Sequence, residues 1–203
     1  MITIVDYGLG NLGSIMNIVK KAGGKVRISG DPQAILDAEK LILPGVGSFD
    51  RGMKNLHQRG LVEVLNEQVL QRKNPILGIC LGVQLFTRRS DEGRDAGLGW
   101  IQADTVRFDL AGGSSLPVPH MGWNRIAADE GDPVIGILPP EPRFYFVHSY
   151  HLKCDRDEDV IAWAEYGYRF ACAIRKGNIW GTQFHPEKSH KFGLQLIKNF
   201  VAL

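Results

Sequence analysis

The sequence predicts a three-layer α/β sandwich, a mainly parallel sheet covered by helices and extended by antiparallel strands. Three observations carry this. Short β-branched runs alternate with helical patterns through the first half of the chain, as strand–helix–strand units do. From about Trp100 the pattern changes to closely spaced strand-like runs with little helix between them. No linker, internal repeat or low-complexity tract separates the two patterns, so residues 1–203 read as one domain.

The elements follow in order. Ile2–Val5 (ITIV) reads as a buried strand, and Asn11–Ala22 as a helix stopped by Gly23-Gly24. Val26–Ser29 is a second strand. Asp31-Pro32 marks a helix start, with Asp31 as cap and Pro32 at the first helical position, where its missing N–H is no loss. Lys40–Leu43 is a third strand, broken at Pro44-Gly45. Leu61–Arg72 carries apolar residues at helical spacing, and Ile76–Cys80 is a fourth strand followed by a helix from about Gly82. In the second half, Thr105–Leu110, Trp123–Ala127, Arg143–Tyr150, Val160–Glu165, Ala171–Lys176 and Ile179–Gln183 look like strands. Lys176-Gly177-Asn178 suits a tight antiparallel turn between the last two. A helix over about Ser189–Ala202 closes the chain.

Composition narrows the function classes. A net charge of +2, with no basic run interleaved with aromatics, argues against nucleic acid and a membrane surface as partners. No window approaches the ~18 apolar residues of a membrane span. The three cysteines, Cys80, Cys154 and Cys172, lack disulfide or zinc spacing, which fits a reducing compartment. With no basic start and apolar signal core at MITIVDYGLG, a cytoplasmic protein is expected.

The N-terminal GLGNLG (Gly8–Gly13) matches the dinucleotide fingerprint after a strand, with Asp31 roughly 20 residues on. Asp31 comes after Gly30 and before Pro32, where capping explains it, and Asp6 puts a negative charge where a pyrophosphate would sit. The better reading is a tight strand-to-helix turn with Asn11 exposed for a partner.

Gly78-Ile79-Cys80-Leu81-Gly82 has the form of a nucleophile elbow with cysteine in place of serine. A thiol there lies at a helix N-terminus, which favours the thiolate, and the Leu81 NH points at an oxyanion. The same position also suits a buried, inert cysteine. A nucleophilic cysteine needs a base. His57 and His190 read as surface residues. His148 and His151, three apart on one strand, are expected on opposite faces, and no cysteine or carboxylate completes a metal site; no metal or cofactor is expected. His185 is different, because Pro186 stops the strand and leaves it at the carboxyl end, with Glu187 two residues on to orient the ring. The other reading of His185 is a solvated histidine in a proline turn.

GICLG with Gln84, together with QFHPE, resembles the class I (triad) glutamine amidotransferases. DYGLGNL (Asp6–Leu12), LPGVGSF (Leu43–Phe49), PHMGWN (Pro119–Asn124), YFVHSY (Tyr145–Tyr150) and QFHPEKS (Gln183–Ser189) resemble the glutaminase subunits of imidazole glycerol phosphate synthase, over nearly the whole chain. The resemblance implies Cys80 as nucleophile, His185 as general base and acid, and Glu187 as third triad member. It implies an oxyanion hole from the Val46 and Leu81 amides after a peptide flip. Glutamine contacts would come from Gln84 and from backbone at Gly45, Gly47, Ser149 and Tyr150. It further implies a (βα)8-barrel cyclase subunit that receives the ammonia, with Asn11, Met121, Trp123, Tyr145 and Lys188 near the docking face. Trp123 also fits a strand buried in a core. On this reading the isolated chain turns over glutamine slowly until the partner is in place. Gly13 and Val83 depart from the family pattern, away from the triad. Other amidotransferase subunits, for anthranilate, GMP or carbamoyl phosphate synthesis, fit PHMGWN and PGVG less well. A cysteine hydrolase of similar fold, or a binding module with a dead site, fits Gln84 and FHPE less well.

Overall fold

The computed structural model describes residues 1–110 and 116–203. The first strand, β1 (Ile2–Val5), is buried at every position, as a strand covered on both faces must be. It leads to helix α1 (Leu12–Lys21), β2 (Val26–Ser29), α2 (Pro32–Leu36) and β3 (Lys40–Leu43). Asp31 caps α2 by accepting from the Ala34 amide at 2.9 Å, with Pro32 in the first turn, as the sequence predicts. Then come α3 (Phe49–Gln58), α4 (Leu61–Asn66), β4 (Ile76–Ile79) and the short α5 (Leu81–Gln84). The stretch expected as one helix over 61–72 turns into a π-helical segment at Glu67–Gln71. There Gln68 buries its side chain to donate to the Ile35 carbonyl at 2.7 Å.

The second half supplies β5 (Ala103–Arg107), β6 (His120–Arg125), β7 (Ala127–Ala128), β8 (Arg143–His148), β9 (Tyr150–Cys154), β10 (Val160–Tyr166), β11 (Tyr168–Lys176), β12 (Ile179–Thr182) and the closing helix α6 (His190–Ala202). The main sheet runs β2-β1-β3-β4-β12-β11-β10-β7, with β5 and β9 attached beside β11. The first five strands of that order are parallel, and the rest pair antiparallel. The central sheet alternates strictly: Ile4, Ile42, Leu77 and Trp180 pack with α1 and α6, while Val5, Leu41, Leu43 and Ile179 pack with α3 and α4. These are the three layers.

One expected strand is two. Arg143–Tyr150 breaks at Ser149: β8 pairs with β6 in a separate ribbon, and β9 joins β5 in the main sheet. The break resets the alternation of side chains. His148 and His151, expected on opposite faces, therefore both enter one aromatic core, 5.2 and 4.7 Å from the Phe108 ring. Among the described residues no helix is long and apolar enough to cross a membrane.

Candidate active site

Sheet order builds this site. β4 and β12 are adjacent and parallel, with Ile79 opposite Thr182, so the segments following them emerge side by side at one edge. Cys80 follows β4 and His185 follows β12. The Cys80 amide donates to the Thr182 carbonyl at 2.8 Å, which ties the two turns together.

Cys80 adopts φ 53° and ψ −111°, a conformation that side chains rarely take. Packing holds it there. A Cβ at Gly82 would lie 1.9 Å from the Leu43 carbonyl oxygen, and one at Gly78 would lie 2.5 Å from the Phe86 ring. Both glycines are required by close approach, so the chain turns sharply and projects the thiol into a cavity of about 300 Å³. Cys80 is 9% exposed.

His185 lines the same cavity. Its Nδ1 donates to Glu187 Oε1 at 2.8 Å, and both side chains are 2% exposed. Its Nε2 makes no hydrogen bond and is buried, as is Glu187 Oε2. Burial pulls the His185 pKa down, but the adjacent Cys80 and Glu187 outweigh it and raise it to about 9. The ring is held from behind as well. The His185 amide donates to the Tyr145 carbonyl at 2.9 Å, and Ser189 Oγ donates to the His185 carbonyl at 2.6 Å. The arrangement offers a thiol, a base with an engaged far nitrogen, and a carboxylate that fixes the base.

Val46, Gly47 and Leu81 border the cavity, as do Gln84, Ser149 and Tyr150. Val46 is 55% exposed and Gly47 has φ 135°, a backbone conformation that favours glycine. Gly45 does not line the cavity. It is buried beneath it, where a Cβ would lie 2.4 Å from the Tyr7 hydroxyl and 2.8 Å from Leu81 Cβ. That hydroxyl donates to the Pro44 carbonyl at 2.6 Å and so pins the entry to the 44–47 segment.

Gln84 has its amide engaged: Nε2 donates to the Tyr150 carbonyl at 3.3 Å and to Gln183 Oε1 at 3.1 Å. Gln183 Nε2 in turn approaches Cys80 Sγ at 3.7 Å. Sequence reasoning gave no role to Gln183, Ser189 or Tyr7. For Gln183 a signal existed, since it lies two residues before His185 and shares its side of an extended segment.

Of the residues expected at a partner face, Met121 and Trp123 are 61% and 46% exposed on β6. Trp123 pairs in register with Tyr145 of β8 and stacks on His190 at 5.5 Å and 13°. Trp123 is therefore on the surface, and the buried-strand reading of it does not hold. Lys188 Nζ lies 5.6 Å from the Tyr145 ring centre and borders the cavity. Asn11 is exposed but also caps α1, its Oδ1 accepting from the Ser14 amide at 3.3 Å. Among the described residues no three His, Cys, Asp or Glu side chains gather as a metal site.

Residues 3–203 match the family model described as glutamine amidotransferase class-I. A Pseudomonas aeruginosa protein named imidazole glycerol phosphate synthase subunit HisH 2 is 48% identical over 203 residues, covering 100% of both chains. A Methanococcus maripaludis protein of the same name is 50% identical over 201 residues, 99% of this chain and 98% of that one. Among solved structures, a chain of PurLQS from Thermotoga maritima superposes with a TM-score of 0.74 at 16% identity, covering 99% and 97%, which speaks to the fold alone. Full-length matches at this identity admit one assignment: the chain belongs to the class I glutamine amidotransferases and, among them, to the HisH subunits of imidazole glycerol phosphate synthase.

Proposed function

We propose that this chain, acting as one domain over residues 1–203, hydrolyses L-glutamine to glutamate and ammonia through Cys80, His185 and Glu187. The observation that carries the reading is the meeting of Cys80 and His185 in one cavity, with Glu187 on the far nitrogen of the imidazole. The Cys80 thiolate attacks the side-chain amide carbon. The C–N bond breaks as the His185 imidazolium gives its proton to the departing nitrogen, leaving a thioester and free ammonia. His185 then takes a proton from water, the hydroxide adds to the thioester, and glutamate leaves as the thiolate is restored. Glu187 keeps Nδ1 protonated so that Nε2 faces the reaction. The Leu81 amide, at the start of α5, and the Val46 amide hold the oxyanion, each such donor being worth about 3 kcal/mol of barrier.

Ammonia released to water at neutral pH is protonated and lost as a nucleophile, so the product needs a sheltered acceptor. The relatives are named as subunits of imidazole glycerol phosphate synthase, which supports a partner subunit as that acceptor. We read it as a (βα)8-barrel cyclase that makes imidazole glycerol phosphate and an aminoimidazole carboxamide ribotide in histidine biosynthesis. Exposed Met121 and Trp123, beside Tyr145 and Lys188, support a docking face next to the cavity.

The test is glutamate release from glutamine, with and without a cyclase subunit and its nucleotide ligand. Slow release alone and large stimulation in the complex are expected, with Cys80→Ala silent under both conditions. Turnover retained by Cys80→Ala would remove Cys80 from its role.

A further inference from the structure

Behind the Ser149–Tyr150 wall of the cavity runs a line of hydrogen bonds that the mechanism above does not use. His148 Nδ1 meets the Tyr150 carbonyl at 2.7 Å, and His148 Nε2 meets His120 Nδ1 at 2.9 Å. A carbonyl only accepts, so His148 Nδ1 carries the proton and donates. In the neutral ring Nε2 then accepts, His120 Nδ1 is the donor, and His120 Nε2 accepts from Asn124 Nδ2 at 3.3 Å. Burial keeps both imidazoles neutral, lowering the pKa of His148 to about 3 and that of His120 to about 4. Every link thus has one direction, from Asn124 on β6 through the two rings to the Tyr150 carbonyl. That carbonyl also accepts from Gln84, whose amide leads through Gln183 toward the Cys80 sulfur.

His148 borders the cavity, yet both its nitrogens are engaged within the protein, so it offers a ligand neither donor nor acceptor. The surroundings are aromatic: Phe146 and Tyr166 lie 4.7 and 4.0 Å from His120, and Phe108 and Phe170 lie 5.2 and 5.5 Å from His148. Phenylalanine would fill such sites without burying polar atoms, so the hydrogen bonds are what account for imidazole here.

We propose that His120 and His148 act as one tautomer-locked pair of positioning residues, holding the Ser149–Tyr150 wall in the geometry that binds glutamine. The inference rests on the glutaminase reading and assigns that site its second tier of residues.

The experiment is calorimetric titration of L-glutamine into the full-length Cys80→Ala chain, alone and combined with His148→Phe, His148→Asn or His120→Phe, each first melted to show a cooperative transition. His148→Phe keeps the ring and removes the donor to Tyr150. It should weaken binding about tenfold, the equivalent of one lost buried hydrogen bond. His148→Asn restores an N–H near the Nδ1 position and should recover most of that loss. His120→Phe leaves the cavity lining unchanged and should still weaken binding several-fold, which keeps the test available if His148→Phe does not fold. In the same variants with Cys80 present, KM rises while kcat stays within about threefold. A Cys80→Ala chain that melts cooperatively but binds no glutamine overturns the glutaminase reading and this inference with it. Glutamine bound equally by the Cys80→Ala parent and the His variants overturns the inference alone. So does a loss in His148→Phe that His148→Asn fails to recover, since that outcome marks packing rather than hydrogen bonding.

Discussion

Glu187 Oε1 accepts from His185 Nδ1 at 2.8 Å in a setting where neither side chain is more than 2% exposed. A carboxylate this enclosed fixes the orientation of the ring and, together with Cys80, favours its charged form.

Glu187→Gln keeps the shape and removes the charge. The kcat for glutamine is expected to fall by roughly 10²–10⁴, as when a triad acid is replaced by its amide. A loss below tenfold in steady-state kinetics would take Glu187 out of the mechanism. The His185 pKa is raised from 6.5 to about 9, so the stability its charge contributes is complete below pH 6.5 and is lost as pH rises through about 9. Melting curves across that window should show the wild type losing an advantage over Glu187→Gln.

The elbow glycines make a second prediction with its own control. Gly82→Ala places a methyl 1.9 Å from a backbone carbonyl that cannot yield, whereas nothing lies within 4 Å of a Cβ at Gly13. Gly82→Ala should cost about 3 kcal/mol, lowering Tm by roughly 10 °C. Gly13→Ala in α1 should gain about 0.5 kcal/mol. Equal melting temperatures for the two variants would contradict the crowding argument.

Strain at the nucleophile predicts a stability gain from a dead enzyme. Cys80 holds φ 53°, ψ −111°, where glycine is at ease. Cys80→Gly should abolish turnover and melt above Cys80→Ala, relieving about 1–3 kcal/mol of backbone strain. If Cys80→Gly melts lower, the turn is not strained and its geometry has another cause.

The exposed face gives the last prediction. Trp123 is 46% exposed and, among the described residues, meets Tyr145 edge-on and His190 face-on, so Trp123→Ala should leave the melting of the free chain nearly unchanged. Its affinity for the cyclase subunit should fall by about 2 kcal/mol, roughly 30-fold, as for a central aromatic anchor. Analytical ultracentrifugation of the mixed subunits measures this; an unaltered Kd would place the docking face elsewhere.

Much of the parallel half was legible because its signals are local. A run such as ITIV, or Asp31 before Pro32, specifies a strand or a helix start within a few residues. The second half was harder, since an antiparallel strand is defined by its partner as much as by its own residues. Arg143–Tyr150 reads as continuous, yet β8 follows β6 while β9 follows β5, and the chain must break at Ser149 to serve both. That break is what brings His148 and His151 into one core against the expected alternation.

By itself the sequence determined the chemistry available at each turn. Glycines two residues either side of Cys80 demand a sharp turn, and Pro186 ends an extended segment beside Glu187, whatever lies around them. Only the tertiary structure decided which turns meet. Gln183 and Cys80 lie 103 residues apart in the chain and within 3.7 Å in space because β12 inserts beside β4, a choice made by the pairing of whole strands. The Asn124–His120–His148–Tyr150 line has the same origin. Its first link lies within β6, but the His120–His148 link joins β6 to β8 and the His148–Tyr150 link crosses the β8–β9 break, and buried donors and acceptors can be matched only after the core that desolvates them has formed.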